Sequence, residues 1–475
     1  MDRTSYIKSF YNECAEKRDD WYRKNRYYHK GLLAYYNSLV FPESSVLELG
    51  CGTGELIGNL GVSLAVGVDI SDKMLEVAKS KFPDVEFICA DIEQLELHRK
   101  FDYIIISDTL GSVIDIQLLL VKISSMATSD TRFIVDYYNP LWNPILRFGE
   151  KLGMKMPEVY FNWLTLDDIE NFFYISGYQV IKHEFMMLFP KYIPFFSSLV
   201  NKTLGKLPIL RRLCVSNVTI ARLKCPPDGV DDMSVSVVIT CRDEEGNIQG
   251  LIEGIPDMGK HTEIIFVEGH SVDKTVCKIQ EMIEKYPEKD IKLFKQQGIG
   301  QRDAFRLGCE KAERDFIIWI EGDLTTPPEE ARLFWEAYVM GKGEFINGSR
   351  LIYKMEKGSM PFFNFLGNRL LGNLFSIILK QRFTDTLCGF KAVSKKNYLK
   401  IMKQIDYFGD FDPFGDFELI FGAVKNNLKV AEVPVHYEPR SYGESKAYGF
   451  SFFSFLKHSW LLLKMTWIAL KKFNK

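Results

Sequence analysis

Two carboxylates one residue apart end the apolar run FIIWIEGD, and residues of this type can bind a divalent cation. The run is rich in β-branched and aromatic residues, which predicts a buried strand with Glu321 and Asp323 at its end. Magnesium takes oxygen ligands and is often held by one or two protein carboxylates together with substrate phosphates. An ExD pattern is common on protein surfaces, but its position after an apolar strand favours a site for a metal and a phosphate.

A glycine-rich turn in the N-terminal half has the spacing of a small-ligand site. The apolar run VLELG leads into the loop Gly50–Gly54. Glycines allow a tight turn and let backbone N–H groups approach a ligand at the start of a helix. Asp69 follows Gly50 by 19 residues, close to the spacing of about 20 at which an acid holds a ribose diol in dinucleotide-binding folds. Asp91 ends a third apolar run, so all three features are expected at the carboxyl edge of one sheet.

Parallel sheets would bring these side chains together. In each half, short apolar runs alternate with amphipathic segments. The runs are VLELG, AVGVDI, VEFICADI, FDYIIIS and TRFIVDY, followed by VSVVITC, EIIFVE, FIIWIEGD and EFINGSR. This alternation predicts an α/β fold with two doubly wound domains. The breaker-rich segment LKCPPDGVDDM lies between the two series, so we predict domains at 1–225 and 234–475 with a linker at 226–233.

The bulk composition excludes several classes of protein. A chain of 475 residues with 46% hydrophobic and 26% charged residues is expected to fold throughout. The formal net charge of −2 gives no reason to expect nucleic acid as a partner. The nine cysteines include no CxxC pair, and the first 30 residues are too polar and acidic for a secretion signal. We therefore expect a cytoplasmic protein.

The first half resembles the class I S-adenosylmethionine-dependent methyltransferases. The motifs ELGCGTG, VDIS, ADIEQL and FDYIIIS follow one another as in that family, over about residues 20–220. The resemblance implies a Rossmann-like fold and S-adenosylmethionine as cofactor, with Asp69 at the ribose hydroxyls and Asp91 at the adenine. The full set that it assigns to the cofactor is Glu48, Gly50, Cys51, Gly52, Gly54, Asp69, Ile70, Asp91, Ile92 and Ser107. The GCGTG loop is shorter than the GxGxxG loop of NAD-binding relatives, which argues against NAD. No catalytic base stands out in this half.

The second half resembles inverting glycosyltransferases of the GT-A family 2, near the polyprenyl-phosphate and dolichyl-phosphate sugar synthases. The ordered motifs EIIFVE, FIIWIEGD, DTLCGFK and DPFGDFEL carry this resemblance over about residues 234–460. It implies a nucleotide-sugar donor, a divalent cation (Mg or Mn) at Asp323 and Glu321, and a lipid-phosphate or glycan acceptor. Asp416 and Asp385 are the candidates for catalysis on the acceptor side, with Asp416 preferred as base. The residues assigned to the nucleotide sugar are Thr240, Arg242, Glu244, Glu268, Asp303, Glu321, Asp323, Arg440 and Lys446.

Two departures from the family pattern fall in this half. Glu321 stands where the family has the first aspartate of its DxD motif. The longer side chain moves the carboxylate by roughly one C–C bond, about 1.5 Å, which makes Asp323 the preferred metal ligand. In QQGIGQRDAFRLG, Ile299 and Gln301 replace the lysines of a Gly-Lys-Gly segment. Phosphate binding would then depend on Arg302 and Arg306.

Two stretches predict attachment to a membrane surface. Residues 362–383 and the tail from 450 combine Phe, Leu and Trp with basic residues, as interfacial helices do. Neither offers the 18 or more uncharged residues of a spanning helix, so we expect peripheral binding to the inner face of the membrane. Residues 185–213 are also apolar with Lys and Arg, and this segment could lie on anionic lipid or cap the sheet.

The leading hypothesis is a bifunctional transferase of cell-envelope glycan or glycolipid biosynthesis. The alternative is that only one half is catalytic and the other is a binding or membrane-tethering module. A cation-dependent nucleotidyltransferase is a third possibility that fits DTLCGFK and GDFEL less well. The sequence leaves open the sugar, the two acceptors and the oligomeric state.

Overall fold

The computed structural model describes residues 3–159, 162–355, 359–404 and 414–443, together with 460, 464–468 and 471. The chain forms two compact units, Met1–Lys224 and Cys225–Lys475. Each unit contains a seven-stranded mixed sheet with helices packed on it. The predicted α/β fold with two such domains is therefore confirmed.

The sheet of the first unit has the strand order β3-β2-β1-β4-β5-β7-β6. All neighbouring strands are parallel except β7, which is antiparallel to both β5 and β6. The strands are β1 (Ser45–Leu49), β2 (Leu64–Asp69), β3 (Glu86–Cys89), β4 (Tyr103–Ser107), β5 (Arg132–Tyr138), β6 (Tyr178–Met186) and β7 (Ser216–Leu223). The helices are α1 (Arg3–Lys24), α2 (Arg26–Leu39), α3 (Asp72–Lys81), α4 (Ile116–Ser124), α5 (Asn143–Lys151), α6 (Leu166–Ile175) and α7 (Phe196–Lys202).

The second sheet has the strand order β10-β9-β8-β11-β13-β12-β14. Strands β10, β9, β8 and β11 are mutually parallel, whereas β13 is antiparallel to β11 and β12. The strands are β8 (Val235–Cys241), β9 (Thr262–Glu268), β10 (Asp290–Lys295), β11 (Phe316–Glu321), β12 (Phe345–Ser349), β13 (Lys391–Ser394) and β14 (Val430–Pro434). The helices are α8 (Ile248–Gly254), α9 (Thr275–Lys285), α10 (Gln301–Lys311), α11 (Ala331–Val339), α12 (Phe362–Leu379), α13 (Lys395–Met402) and α14 (Asp416–Lys425).

Continuous apolar strands are expected here because each sheet is covered on both faces. Successive residues of a strand point to opposite faces. Val46 and Leu47 of β1 accordingly join two different hydrophobic clusters, as do Val237 and Val238 of β8. Each unit therefore has its own core.

Helix α12 is, by length and composition alone, able to cross a membrane. Arg369 lies exposed in its middle. Most of the other apolar stretch named in the sequence, the tail from 450, lies outside the residues that the structure describes.

Candidate functional sites

A cavity of about 480 Å³ opens at the carboxyl edge of the first sheet. It contains most of the residues that the sequence assigned to a cofactor. Those that line it are Gly50, Gly52, Asp69, Ile70, Asp91, Ile92 and Ser107. Glu48, Cys51 and Gly54 belong to the same loop region but do not line the cavity.

The glycine loop owes its shape to backbone conformations that favour glycine. Gly50, Gly52 and Gly54 have φ values of 77°, 53° and 76°, in the left-handed region. A side chain at Gly50 would also collide with Thr109. Asp69 holds the loop in place, because its Oδ2 accepts a hydrogen bond of 2.8 Å from the Gly52 N–H.

Two predicted cofactor residues that do not line the cavity, Glu48 and Gly54, contribute to the packing around the glycine loop. Glu48 is buried, and its Oε2 accepts a 2.9 Å hydrogen bond from the Ile57 N–H. Burial raises the pKa of this carboxyl well above its ordinary value. A Cβ on Gly54 would lie 2.9 Å from the Phe87 ring, so close packing requires a glycine there.

Helices α1 and α2 cover the cavity. Tyr11 and Trp21 of α1, together with Tyr28 and His29 of α2, line it. Burial lowers the pKa of His29 to about 3, so this imidazole is neutral at physiological pH. The sequence analysis did not identify α1 as part of this cover. The signal for α1 was the four-residue spacing of Ile7 and Tyr11 towards one face.

Several hydrogen bonds tie α1 to the sheet edge beneath it, and two of them reach the glycine loop and the segment after β4. Thr53 Oγ1 of the glycine loop donates to Asp19 Oδ1 at 2.9 Å. The Tyr11 hydroxyl lies 3.1 Å from Ser112 Oγ, beyond β4. The cover is thus attached to both sides of the cavity.

A pair of aspartates, which sequence reasoning did not recognise as a pair, lies beside the cavity: Asp136 is buried and Asp108 is half-buried. Asp108 lines it, and its backbone N–H donates to the Asp136 carbonyl at 3.2 Å. The Tyr36 hydroxyl donates to Asp136 Oδ1, whereas Asp108 Oδ1 accepts no hydrogen bond within the described structure. Burial raises the pKa of both carboxyls, and for Asp108 the charge of Asp136 adds to the effect. Asp136 lies inside the apolar run that forms β5, and for that reason the sequence analysis did not select it as a site residue.

In the second unit, strand register brings the predicted nucleotide-sugar residues to one sheet edge. Thr240 at the end of β8 pairs with Glu321 of β11, and Cys241 pairs with Glu268 of β9. Glu268 accepts a hydrogen bond from the Ser271 N–H. Three ends of parallel strands therefore place Thr240, Glu268 and Glu321 side by side.

The Asp323 carboxylate forms an ion pair with the side chain of Arg440. Its Oδ2 accepts from Arg440 Nη2 at 2.5 Å, and its Oδ1 accepts from Thr325 Oγ1 at 2.8 Å. The same guanidinium lies 3.7 Å from a carboxylate oxygen of Glu244. Sequence reasoning placed all three predicted residues near the donor, and the structure links them by one arginine.

The Glu321 carboxylate accepts a hydrogen bond from an uncharged side chain, whereas Asp323 is paired with an arginine. Gln301 Nε2 donates to Glu321 Oε1 at 2.5 Å. Burial and the nearby charge of Asp323 raise the pKa of the Glu321 carboxyl. A Cβ on Gly389 would collide with this carboxyl group, so the glycine of DTLCGFK makes room for it. Gln301, the residue that replaces a family lysine, thus contacts the predicted metal motif.

The acidic residues predicted to act on the acceptor form buried ion pairs. Asp385 receives two hydrogen bonds from Arg350, of 2.7 and 3.0 Å. Asp416 lies 2.5 Å from Lys391 Nζ. The sequence did not point to Arg350 or Lys391, because one lies in an irregular segment and the other inside a strand. The proposed catalytic roles of the two aspartates stay predictions.

The remaining predicted residues lie at the edges of this site. Asp303 accepts a 3.0 Å hydrogen bond from the Gly298 N–H and braces that turn. Arg306 donates to Glu418 at 2.6 Å, and Arg242 is exposed. Lys446 lies outside the described residues.

Comparison with known proteins separates the two halves. The family described as "Methyltransferase domain" matches residues 41–163, and the family "Glycosyl transferase family 2" matches residues 236–399. The first match contains the glycine loop and the cavity residues Asp69, Asp91 and Asp108, whereas the second contains Glu321 and Asp323.

Curated relatives match about half of the chain. The dolichol-phosphate mannosyltransferase of Pyrococcus furiosus is 30% identical over 49% of this chain and 64% of its own length. An undecaprenyl-phosphate 4-deoxy-4-formamido-L-arabinose transferase of Edwardsiella ictaluri is 25% identical over 45% of this chain and 62% of its own length. The matched part of the chain therefore covers less than two thirds of either relative. A solved structure of a SAM-dependent methyltransferase from Thermotoga maritima covers 46% of this chain and 99% of its own, with 15% identity and a TM-score of 0.37.

Proposed function

Because the chain contains a methyltransferase domain and a family 2 glycosyltransferase domain, we propose that it is a bifunctional transferase of cell-envelope glycan or glycolipid biosynthesis. One unit would transfer a methyl group from S-adenosylmethionine. The other would transfer a sugar from a nucleotide sugar to a lipid phosphate or glycan. The named relatives act on dolichol phosphate and undecaprenyl phosphate, which supports a polyprenyl-phosphate acceptor.

The cavity of the first unit is the observation that carries the methyltransferase proposal. Gly50 and Gly52 of its glycine loop line the cavity together with Asp69, which would bind the ribose hydroxyls. The aromatic residues of α1 and α2 would close over the ligand and exclude water. Isothermal titration of the full chain with S-adenosylmethionine tests this, and an absence of binding heat would contradict it.

Asp108 is the residue that we assign as the base of the methyl transfer. When bound, S-adenosylmethionine supplies an electrophilic methyl group, and the acceptor must lose a proton as it is methylated. Asp108 Oδ1 is buried at the cavity wall with no donor within hydrogen-bond distance among the described residues. A raised pKa suits a general base, because catalysis is most effective when the pKa lies near the working pH. Asp136 and Tyr36 would hold the pair in place.

The second proposal rests on the sheet edge that carries Thr240, Glu268, Glu321 and Asp323. Asp323 and Glu321, two residues apart, are the carboxylates that would hold a cation, and Asp323 already interacts with the positive charge of Arg440. Within the described part of the chain, no group of three or more metal-binding side chains is present. The protein would therefore contribute two carboxylates, and donor phosphates would complete the coordination of Mg²⁺ or Mn²⁺. The cation would neutralise charge on the donor diphosphate.

A thermal-shift screen of nucleotide sugars, with and without MnCl₂, tests the glycosyltransferase proposal. A donor that binds only the folded state raises the melting temperature by mass action. Stabilisation by at least one nucleotide sugar, enhanced by the metal, is expected. If no nucleotide sugar stabilises the chain, the alternative gains support: the second unit would then be a binding or tethering module.

We further propose that helix α12 attaches the second unit to a membrane surface. One side of the helix is buried, with Leu371 and Phe375 in the core. The opposite side exposes a row of large apolar residues: Phe362, Phe363, Leu366, Leu370, Leu374 and Ile377. A helix that packs on protein with one face and exposes apolar residues with Arg369 on the other suits the interface between lipid and water. The inner face of the membrane is the expected location.

A further inference from the structure

Large apolar side chains are concentrated on two exposed segments of the first unit. Residues 141–154 and 192–213, which together we name the apolar rim, carry fourteen exposed large apolar residues. The rest of the described first unit carries seven, although it is several times longer. Phe195 and Ile209 are 92% and 82% exposed. Apolar surface of this extent marks an interaction site on a soluble unit.

The two segments of the rim are joined to each other. The Trp142 indole N–H donates to the Leu213 carbonyl at 2.8 Å. Asn139, just before the first segment, donates to the Arg212 carbonyl at 2.8 Å. The exposed apolar residues therefore belong to one region of the unit.

The rim also borders the mouth of the cofactor cavity. Ile145, Phe148 and Leu152 line the cavity, yet they are 58%, 63% and 58% exposed. Side chains that line a cavity and are also open to solvent lie at its entrance. Phe189 and Lys191, immediately before the second segment, line it as well.

The charge of the rim indicates its partner. Its two segments contain six basic residues, Arg147, Lys151, Lys202, Lys206, Arg211 and Arg212, and one acidic residue, Glu150. The chain as a whole has a net charge of −2, so this excess is local. Apolar side chains among lysines and arginines complement an anionic lipid surface, which accepts the former between its acyl chains and attracts the latter.

Phe195 of the rim has an unusual backbone conformation. Its φ of 62° lies in the left-handed region, which bulky residues rarely adopt. Such strain is commonly retained where it serves a function. Here it accompanies an aromatic ring that is almost fully exposed at the start of α7.

We propose that the apolar rim docks on an anionic membrane and places the cavity mouth against the bilayer, so that the methyl acceptor is a lipid-linked molecule. The acceptor part rests on the proposed methyltransferase function, whereas the docking part does not. An acceptor with a long acyl or prenyl chain would keep that chain in the bilayer while its polar head enters the cavity between Ile145 and Phe148. A water-soluble acceptor would have no need of this rim.

A fluorescent probe on the full chain tests the docking. In a Cys89→Ser/Cys277→Ser background, Ile209→Cys and Leu199→Cys would each be labelled with an environment-sensitive nitrobenzoxadiazole dye. Tyr174→Cys, in α6 outside the rim and 71% exposed, is the matched control, and the background chain is the blank. Vesicles of phosphatidylglycerol and phosphatidylethanolamine should cause a severalfold rise and a blue shift of emission at the rim positions only.

Two results would overturn the docking: no change at both rim positions, or an equal change at position 174. Because the label reports its own surroundings, attachment through the second unit does not produce the expected signal. Pure phosphatidylcholine vesicles should give a weaker response, since the basic residues then lack anionic headgroups.

A second measurement addresses the acceptor. The full chain would be incubated with methyl-labelled S-adenosylmethionine and a total lipid extract of its own organism, and the organic phase counted. Label is expected there, and Leu199→Glu/Ile209→Glu should greatly reduce it, whereas Tyr174→Glu should not. If titration shows that S-adenosylmethionine binds but the organic phase stays unlabelled, the lipid-linked acceptor is wrong. If S-adenosylmethionine does not bind at all, the proposed function itself fails.

Discussion

Asp69 braces the glycine loop and lines the cavity, and we propose that it also binds the ribose of the cofactor. Replacing Asp69 by Ala should weaken S-adenosylmethionine binding by about 10- to 100-fold, the effect of losing hydrogen bonds to a charged group. Isothermal titration measures the change. Asp84→Ala is the matched control, since Asp84 is exposed in the turn before β3 and does not line the cavity. Equal affinities for the Asp69 variant and the unaltered chain would rule out the assigned ribose contact.

Asp108 should give the methyl transfer its pH dependence. Its raised pKa keeps the carboxyl protonated over a wider pH range, so the base form grows as pH increases. We expect kcat/KM for methyl transfer to rise with pH as Asp108 loses its proton, and we expect this rise at a pH above the ordinary aspartate pKa of about 3.9. Asp108→Asn should remove this rise and slow transfer by about 10²- to 10⁴-fold, with S-adenosylmethionine affinity unchanged. If the Asp108→Asn variant still showed this rise of kcat/KM with pH, the ionising group would be a residue other than Asp108.

The same shift has a consequence for stability. A folded-state pKa above the unfolded value means that the folded chain binds this proton more tightly. The resulting stabilisation is complete below the unfolded pKa and is lost as pH rises through the folded pKa. Thermal melts should therefore show a steeper loss of stability with rising pH for the unaltered chain than for Asp108→Asn.

Asp323 is the residue on which the cation proposal depends most directly. Asp323→Ala should abolish metal-dependent turnover of the nucleotide sugar, because one of the two carboxylates is lost. Glu336→Ala, an exposed acid on α11, is the control and should retain activity. Manganese binding, followed by electron paramagnetic resonance, should weaken in parallel. Full activity of the Asp323 variant would refute the metal assignment.

At the scale of elements, helix α12 has one face that is buried in the core of the second unit and an opposite face that exposes apolar side chains. Phe375 packs on the Phe417 ring at 4.9 Å, which holds the helix to the unit. Leu370 on the opposite face is 61% exposed. In a Leu199→Glu/Ile209→Glu background, which removes attachment through the apolar rim, Leu370→Glu should further reduce flotation of the full chain with anionic vesicles, since a charge is costly to bury in acyl chains. Leu333→Glu, on α11 and 41% exposed, should leave the flotation of that background unchanged. Equal flotation of the two variants would contradict attachment through α12.

At the scale of the whole molecule, the two units have separate hydrophobic cores. Mutations that disable one ligand site should therefore leave the other unit folded. We expect Asp69→Ala to retain sugar transfer and Asp323→Ala to retain methyl transfer, each measured by its own assay. Loss of both activities in either variant would show that the two reactions are coupled.

The sequence by itself determined the order of the two domains, nine of the fourteen strands of their sheets and the glycine loop. These features follow from local patterns: apolar runs of strand length, breakers between them, and glycines where φ is positive. Motif residues such as Asp69 and Asp323 were identified because they stand directly after such runs. These local patterns can be recognised in the sequence without knowing which distant residues are in contact.

Only the tertiary structure decided which distant residues meet. The pairings of Asp108 with Asp136, of Asp323 with Arg440 and of Asp385 with Arg350 join positions between 28 and 117 residues apart. No periodicity relates such positions, because strand order and helix packing bring them together. The apolar rim is a similar case: its exposure depends on what covers each segment, and the sequence alone left 185–213 open between a lipid-facing surface and a cap on the sheet.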